Sequence, residues 1–205
     1  MPAGLGALGI ACFGLFALFS GRVTHDCAPI LTGWFVGGFV VQLVVAIIEF
    51  KDKNLAGGNA FLVFSSFFML TGAISVSTKY YLHVANMHVD TGIEGWLWLA
   101  TAIWLGSMLP CFLKSPRVLF ILGVLLDVIV WGIALIDFGF DKAIFVPLTA
   151  WTLLISGILA LYLAGAFAIN TQFGKAILYV GGPLVKPGLA PPPVEIGMAH
   201  VEAQV

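Results

Sequence analysis

Apolar residues in this chain come in long runs broken by short clusters of charge, which is the pattern of helices that cross a bilayer. A hydrocarbon core about 30 Å thick needs roughly 20 apolar residues per helix. Six segments meet that length, at about Pro2 to Ser20, Pro29 to Phe50, Asn59 to Thr78, Glu94 to Leu113, Arg117 to Phe138 and Ala143 to Asn170. The charges fall in the short connections: Arg22, His25 and Asp26; Lys51, Asp52 and Lys53; Lys79, His83, His88, Asp90 and Glu94; Lys114 and Arg117; Asp137, Asp141 and Lys142. The pattern therefore predicts an all-α integral membrane protein with six transmembrane helices in one compact bundle, over residues 1–172. From residue 173 to 205 the periodicity is lost, and the Pro- and Gly-rich stretch GGPLVKPGLAPPPVEIG predicts a disordered cytoplasmic tail.

Polar residues inside the runs are the informative exceptions, because an unpaired polar group in lipid costs several kcal/mol. In an ideal helix Asn59, Ser66 and Ser77, at offsets of seven and eighteen, share one narrow face, away from Phe61, Phe64 and Phe68. That stripe faces protein or a water-filled path; interhelical hydrogen bonding and path lining both fit it. Gln42 and Glu49 share a face of the second segment, and Glu49 is also near enough to Lys51 and Lys53 to pair with them. Thr149, Thr152 and Ser156 sit at helical spacing in the sixth, followed by Tyr162 and Asn170, and such hydroxyls commonly bond their own helix. Asp127 stands out most. It lies near the middle of its segment, where an ionised carboxylate costs at least about 2.5 to 3.5 kcal/mol, so it is paired, hydrated or protonated. Proton handling and a neutral interhelical hydrogen bond are the two roles open to it, and no Lys or Arg lies deep in any segment to pair with it.

Composition sharpens this picture. With 60% hydrophobic and 9% charged residues and a mean hydropathy of +1.07, an ordinary soluble surface is excluded. A net charge of -1 offers no basic patch for nucleic acid. Cys12, Cys27 and Cys111 show no CxxC spacing, and His25, His83, His88 and Asp90 no recognised ligand spacing, so no metal or cofactor is expected. No nucleophile triad, HExxH or phosphate-binding loop appears, which leaves hydrolysis and ATP-driven transport unsupported and predicts a non-enzyme. The first run starts at Met1 without a basic leader and reads as a permanent helix. Six spans put both termini on one side, which carries Lys51, Lys53, Lys114, Arg117, Lys175 and Lys186 against Arg22, Lys79 and Lys142 on the other. This bias predicts a multi-pass protein of the cell (plasma or inner) membrane with both termini cytoplasmic. Gly6, Gly9, Gly33, Gly37, Gly38, Gly106, Gly157 and Gly165 predict close backbone approach, in a tight bundle or an oligomer.

Three ordered stretches resemble the acetate uptake transporter family, small six-helix permeases that include the succinate–acetate permeases. They are Pro2-Ala3-Gly4-Leu5-Gly6; Glu49-Phe50-Lys51 leading into Gly57, Ala60-Phe61 and Ser66-Phe67; and Leu161-Tyr162-Leu163-Ala164 with Asn170 and Gln172-Phe173-Gly174. The likeness runs from residue 2 to about residue 182. It implies a homohexamer in which every protomer has a central pore for acetate and related short monocarboxylates, in some cases succinate, moving with protons. It further implies an apolar constriction at Ile10, Phe64 and Leu126, polar pore lining at Gln42, Glu49, Asn59, Ser66 and Asn170, and a substrate-access motif at Pro2, Leu5 and Gly6. The chain departs from the family at Ile10 for Phe, Phe64 for Tyr, Asn59 for Thr, Phe167 for an acid, Asp127 for a neutral residue, Met1 for Asn and Gly4 for Pro. Asp127 is thereby expected to take over the proton handling lost at position 167. Two other expectations stand beside transport of a carboxylate: a channel for ammonium, ammonia or urea, and a non-conducting scaffold or sensor with Phe64, Phe67 and Phe68 as a permanent plug.

Overall fold

A computed structural model describes residues 1–185. Six helical spans appear where the apolar runs lie. They are built from α1 (Pro2–Phe19), α2 (Ala28–Lys51), α3 (Leu55–Val63), α4 (Thr71–Val84), α5 (Gly92–Met108), α6 (Arg117–Asp137) and α7 (Lys142–Phe173). Helices α3 and α4 are halves of one span, joined by a π-helical segment, Phe64–Leu70. Local chemistry sets the boundaries. Pro2 and Pro29 occupy first-turn positions where a missing N–H costs nothing. Asn54 and Asp141 cap α3 and α7 by accepting from Gly57 N at 3.1 Å and Ala143 N at 2.9 Å. Gly174, at φ 63°, ends α7 in the left-handed conformation that glycine adopts freely.

The spans pack side by side in the order third, second, first, sixth, fifth, fourth. Side chains, and not close helix packing, close the ring between fourth and third. The first and sixth spans approach closest because glycine faces glycine: a Cβ on Gly9 would lie 2.6 Å from Leu161 Cγ and 3.1 Å from the Gly157 carbonyl oxygen. Gly6, one turn earlier, has nothing within 4 Å. Gly9→Leu should therefore destabilise the bundle by about 1–3 kcal/mol, seen as a lower Tm in detergent, while Gly6→Ala leaves Tm unchanged.

Two expectations need correction here. The π segment spends an extra residue per turn, so the azimuths that would align Asn59, Ser66 and Ser77 do not hold through it. Asn59 instead bonds its own helix at Leu55 O (2.8 Å), the Ser66 carbonyl accepts from Thr71 Oγ1 (3.0 Å), and Ser77 Oγ lies 2.5 Å from Thr32 Oγ1 of α2, an interhelical pin. Residues 174–185 are not a free tail. They run back across the ends of the spans, with Val118 N donating to Val180 O, and Leu184 N and Val185 N to Leu113 O. The remainder of the expected tail, 186–205, lies outside the described residues.

Candidate functional site

The gap between the third and fourth spans opens into a cavity of about 1070 Å³. It lies at the end of the bundle opposite Met1 and Phe173, and all spans but the sixth line it. Along the third span it extends from His83 inward to Val63, about 30 Å of helix at 1.5 Å per residue. Its outer wall carries charge, and its inner wall is Phe35, Phe67, Phe68, Trp98 and Trp104. Phe68 is at the centre of this floor, with ring centroids 5.7 Å from Phe64, 6.4 Å from Phe35 and 6.5 Å from Trp98. Beneath it lies a void of about 10 Å³, bounded by Phe64, Leu105 and Val130. Phe64, Phe67 and Phe68, at offsets of three and four along the third span, line the same space.

The charged wall is one network. Glu94 Oε1 accepts from Ser75 Oγ at 2.6 Å, and Glu94 Oε2 from Lys79 Nζ at 2.7 Å. Asp137 Oδ1 is 4.0 Å from the same ammonium, and Asp137 Oδ2 is buried without a hydrogen-bond partner. Ser75 and Lys79 come from α4, Glu94 from α5 and Asp137 from α6, so the network crosses the seam where neighbouring spans do not pack closely. Sequence reasoning assigned these three charges to connections. The signal was present: Ser75, Lys79 and His83 are spaced by four along the third span, and all three line the cavity.

Beyond the floor the bundle is closed and its polar groups are buried. Gln42, wholly buried, donates from Nε2 to Gly4 O at 3.3 Å, while its Oε1 has no partner. Glu49 is held by Asn54 Nδ2 at 2.6 Å and by the Met1 amino group at 3.0 Å, not by Lys51 or Lys53. In the access motif, Leu5 is buried, Gly6 stands open, and Gly4 packs on the Phe61 ring. Pro2 opens α1 beside the Met1–Glu49 contact.

Other expected site residues lie elsewhere. Phe64 and Leu126 are buried at 8% and 6% exposure, but Ile10 is 47% exposed on the outer face of α1 and lines neither cavity. Asp127 also lines neither cavity: its Oδ2 is 3.5 Å from where a Cβ of Gly106 would stand, in the seam between α5 and α6, and its Oδ1 is unpartnered. Asn170 is not pore lining. Its Oδ1 accepts from Ile177 N and Leu178 N and its Nδ2 donates to Leu178 O, all at 2.8 Å, which straps residues 174–185 to α7. Tyr162 Oη adds a bond to Tyr179 O at 2.6 Å. Asn170→Ala removes three bonds of about 1 kcal/mol each; limited proteolysis between 174 and 185 should speed up several-fold with solute uptake preserved.

A bundle of six apolar helices around a charge-mouthed, aromatic-floored cavity is the build of a small-solute permease or channel. The chain belongs to the acetate uptake transporter family. It is 30% identical over 185 residues to the succinate-acetate/proton symporter SatP of Escherichia coli K12, covering 88% of this chain and 94% of that protein. The SatP of Shigella flexneri matches to the same extent. The solved structure of the bacterial acetate channel SatP superposes with a TM-score of 0.77 at 25% identity, over 88% of this chain and 97% of that one. No family model matches the chain.

Proposed function

We propose that this protein is a proton-linked permease or channel for acetate and related short monocarboxylates, with succinate a further candidate. Likeness to SatP along nearly its whole length supports the solute class. The observation that carries the reading is the cavity itself, wide and charged at its mouth and ending on a stack of Phe68, Trp98 and Phe64 that admits only small solutes. Solute passes from this vestibule through the aromatic floor at the level of Phe64 and Leu126, then past Gln42 to Glu49. The six-to-three excess of Lys and Arg supports cytoplasmic termini, so that the vestibule faces outward across the cell membrane. Gly6, Gly33, Gly37 and Gly165 meet nothing within the protomer, which supports the homohexamer as the working form.

One observation favours a second reading. The vestibule walls hold Asp26, Glu94 and Asp137 against Lys79, an excess of acid that suits ammonium. Uptake of labelled acetate and of labelled methylammonium into proteoliposomes, under an inward proton gradient and with benzoate as bulky competitor, decides between them. Acetate accumulation with no methylammonium flux is the expected result; the reverse pattern assigns the protein to ammonium.

A further inference from the structure

We propose that Lys79 is the vestibule's receptor for the substrate carboxylate and that Glu94 and Asp137 keep it occupied until one of them takes up a proton. The inference rests on the carboxylate reading above and adds the place where proton and anion meet. Among the described residues Lys79 Nζ is the one ammonium in the vestibule wall, and both its neighbours are carboxylates, Glu94 at 2.7 Å and Asp137 at 4.0 Å. One cation against two anions leaves the cluster at -1. An arriving carboxylate would raise this to -2 at the mouth of a low-dielectric cavity, where like charges repel strongly. A proton taken from the outer solution by either acid cancels that increase: the cluster with one neutral acid, an ammonium and a bound carboxylate is again at -1. On Glu94 the proton also breaks the charge-assisted bond that occupies Lys79 and frees a donor for the substrate; on Asp137 it acts through charge alone. Proton and carboxylate thus favour each other's binding by the same factor.

The arrangement is suited to this exchange. Asp137 Oδ2 is buried and unpartnered, a place for a proton that breaks no existing bond. Ser75 Oγ stays on Glu94 Oε1 and holds its carboxyl in position while Oε2 lets go. Other charged and titratable groups near the cluster are His25 and Asp26 from the 3₁₀ turn before α2, Tyr80 and His83 on α4, and Lys142 at the start of α7. None makes a hydrogen bond or ion pair with Lys79, Glu94 or Asp137. The three residues come from three different spans, and the Phe68–Trp98 contact joins the same third and fourth spans that Lys79 and Glu94 bridge.

The test is initial-rate uptake of labelled acetate by the full chain in proteoliposomes, at external pH 5.5 to 8, for wild type, Glu94→Gln, Asp137→Asn and Lys79→Gln, each confirmed monodisperse. Wild-type uptake should fall as external pH rises. The isosteric neutral variants Glu94→Gln and Asp137→Asn should flatten that fall, raising uptake at pH 8 by about tenfold, within the range that coupled sites reach. They should also lose accumulation driven by a proton gradient while still equilibrating acetate. Lys79→Gln should raise KM for acetate by about tenfold at every pH. Wild-type pH profiles in both acid variants, or a wild-type KM in Lys79→Gln, overturn the proposal while leaving acetate transport intact. A wild-type protein that moves no acetate above empty liposomes overturns the transport reading, and this proposal with it. If Lys79→Gln fails to fold, the two acid variants decide alone.

Discussion

Phe68→Ala is expected to admit benzoate, with the wild-type protein expected to exclude it. Phe68 is 5% exposed and lines both spaces, together with Phe67, Trp98 and Trp104. Three aromatic neighbours hold it in edge-on and tilted contacts, so it does not swing aside without disturbing Phe35, Phe64 or Trp98. Apolar constrictions of this kind block by dewetting, and removing a ring that lines both spaces widens the passage between them. Labelled benzoate uptake should rise by at least about tenfold, the factor that about 1.36 kcal/mol of barrier commands, and the preference for acetate should shrink accordingly. Trp98→Ala, on the opposite wall, should do the same to a smaller extent, because Phe68 still closes half the opening. A Phe68→Ala protein that folds, moves acetate and still excludes benzoate would place the size filter elsewhere.

The number and order of the spans were legible because a bilayer reads length and apolarity, which the sequence carries openly. What the sequence obscured has three physical causes. A π segment is invisible to a fixed 100° per residue, so the stripe of Asn59, Ser66 and Ser77 dissolved, and the residues facing the cavity proved to be Ser75, Lys79 and His83 on the far side of the segment. Charges at helix ends look like loop charges, so Lys79, Glu94 and Asp137 passed as connections until the third, fourth and fifth spans brought them within 4.0 Å. Polar side chains near a terminus are ambiguous between lining a path and holding a strap, and Asn170 holds the strap. Asp127 shows the converse limit of a sequence. Its depth in the apolar run marked it for proton handling, but depth does not give azimuth, and its carboxylate points to Gly106 in the α5–α6 seam. Two acids that each bury one oxygen without a hydrogen-bond partner, Asp127 and Asp137, thus lie on one helix, and only the one at its end reaches the vestibule.

Gln42→Leu is expected to make the protein more stable and less active. Gln42 has no exposed surface, a single 3.3 Å bond from Nε2 to Gly4 O, and an Oε1 with no partner at all. A buried polar atom left unsatisfied costs about 1–3 kcal/mol, and leucine fills a similar volume without that cost. If the amide served only the fold, the exchange would therefore raise Tm and leave uptake alone. On the proposed path between Phe64 and Glu49 a half-satisfied amide has another use: its free oxygen can accept a hydrogen bond from a protonated carboxylic acid in transit. Losing that partner raises the barrier by the worth of one buried hydrogen bond, so acetate uptake should fall by about tenfold, the ratio carried by about 1.36 kcal/mol, while Tm holds or rises. Gln42→Glu keeps an acceptor but adds charge, and should lose uptake at high pH more than at low. The informative measurement is the pair of readouts on the same Gln42→Leu preparation. Uptake lost together with Tm means damaged packing between α1 and α2; uptake lost with Tm preserved means that stability at this position is given up for passage of the solute.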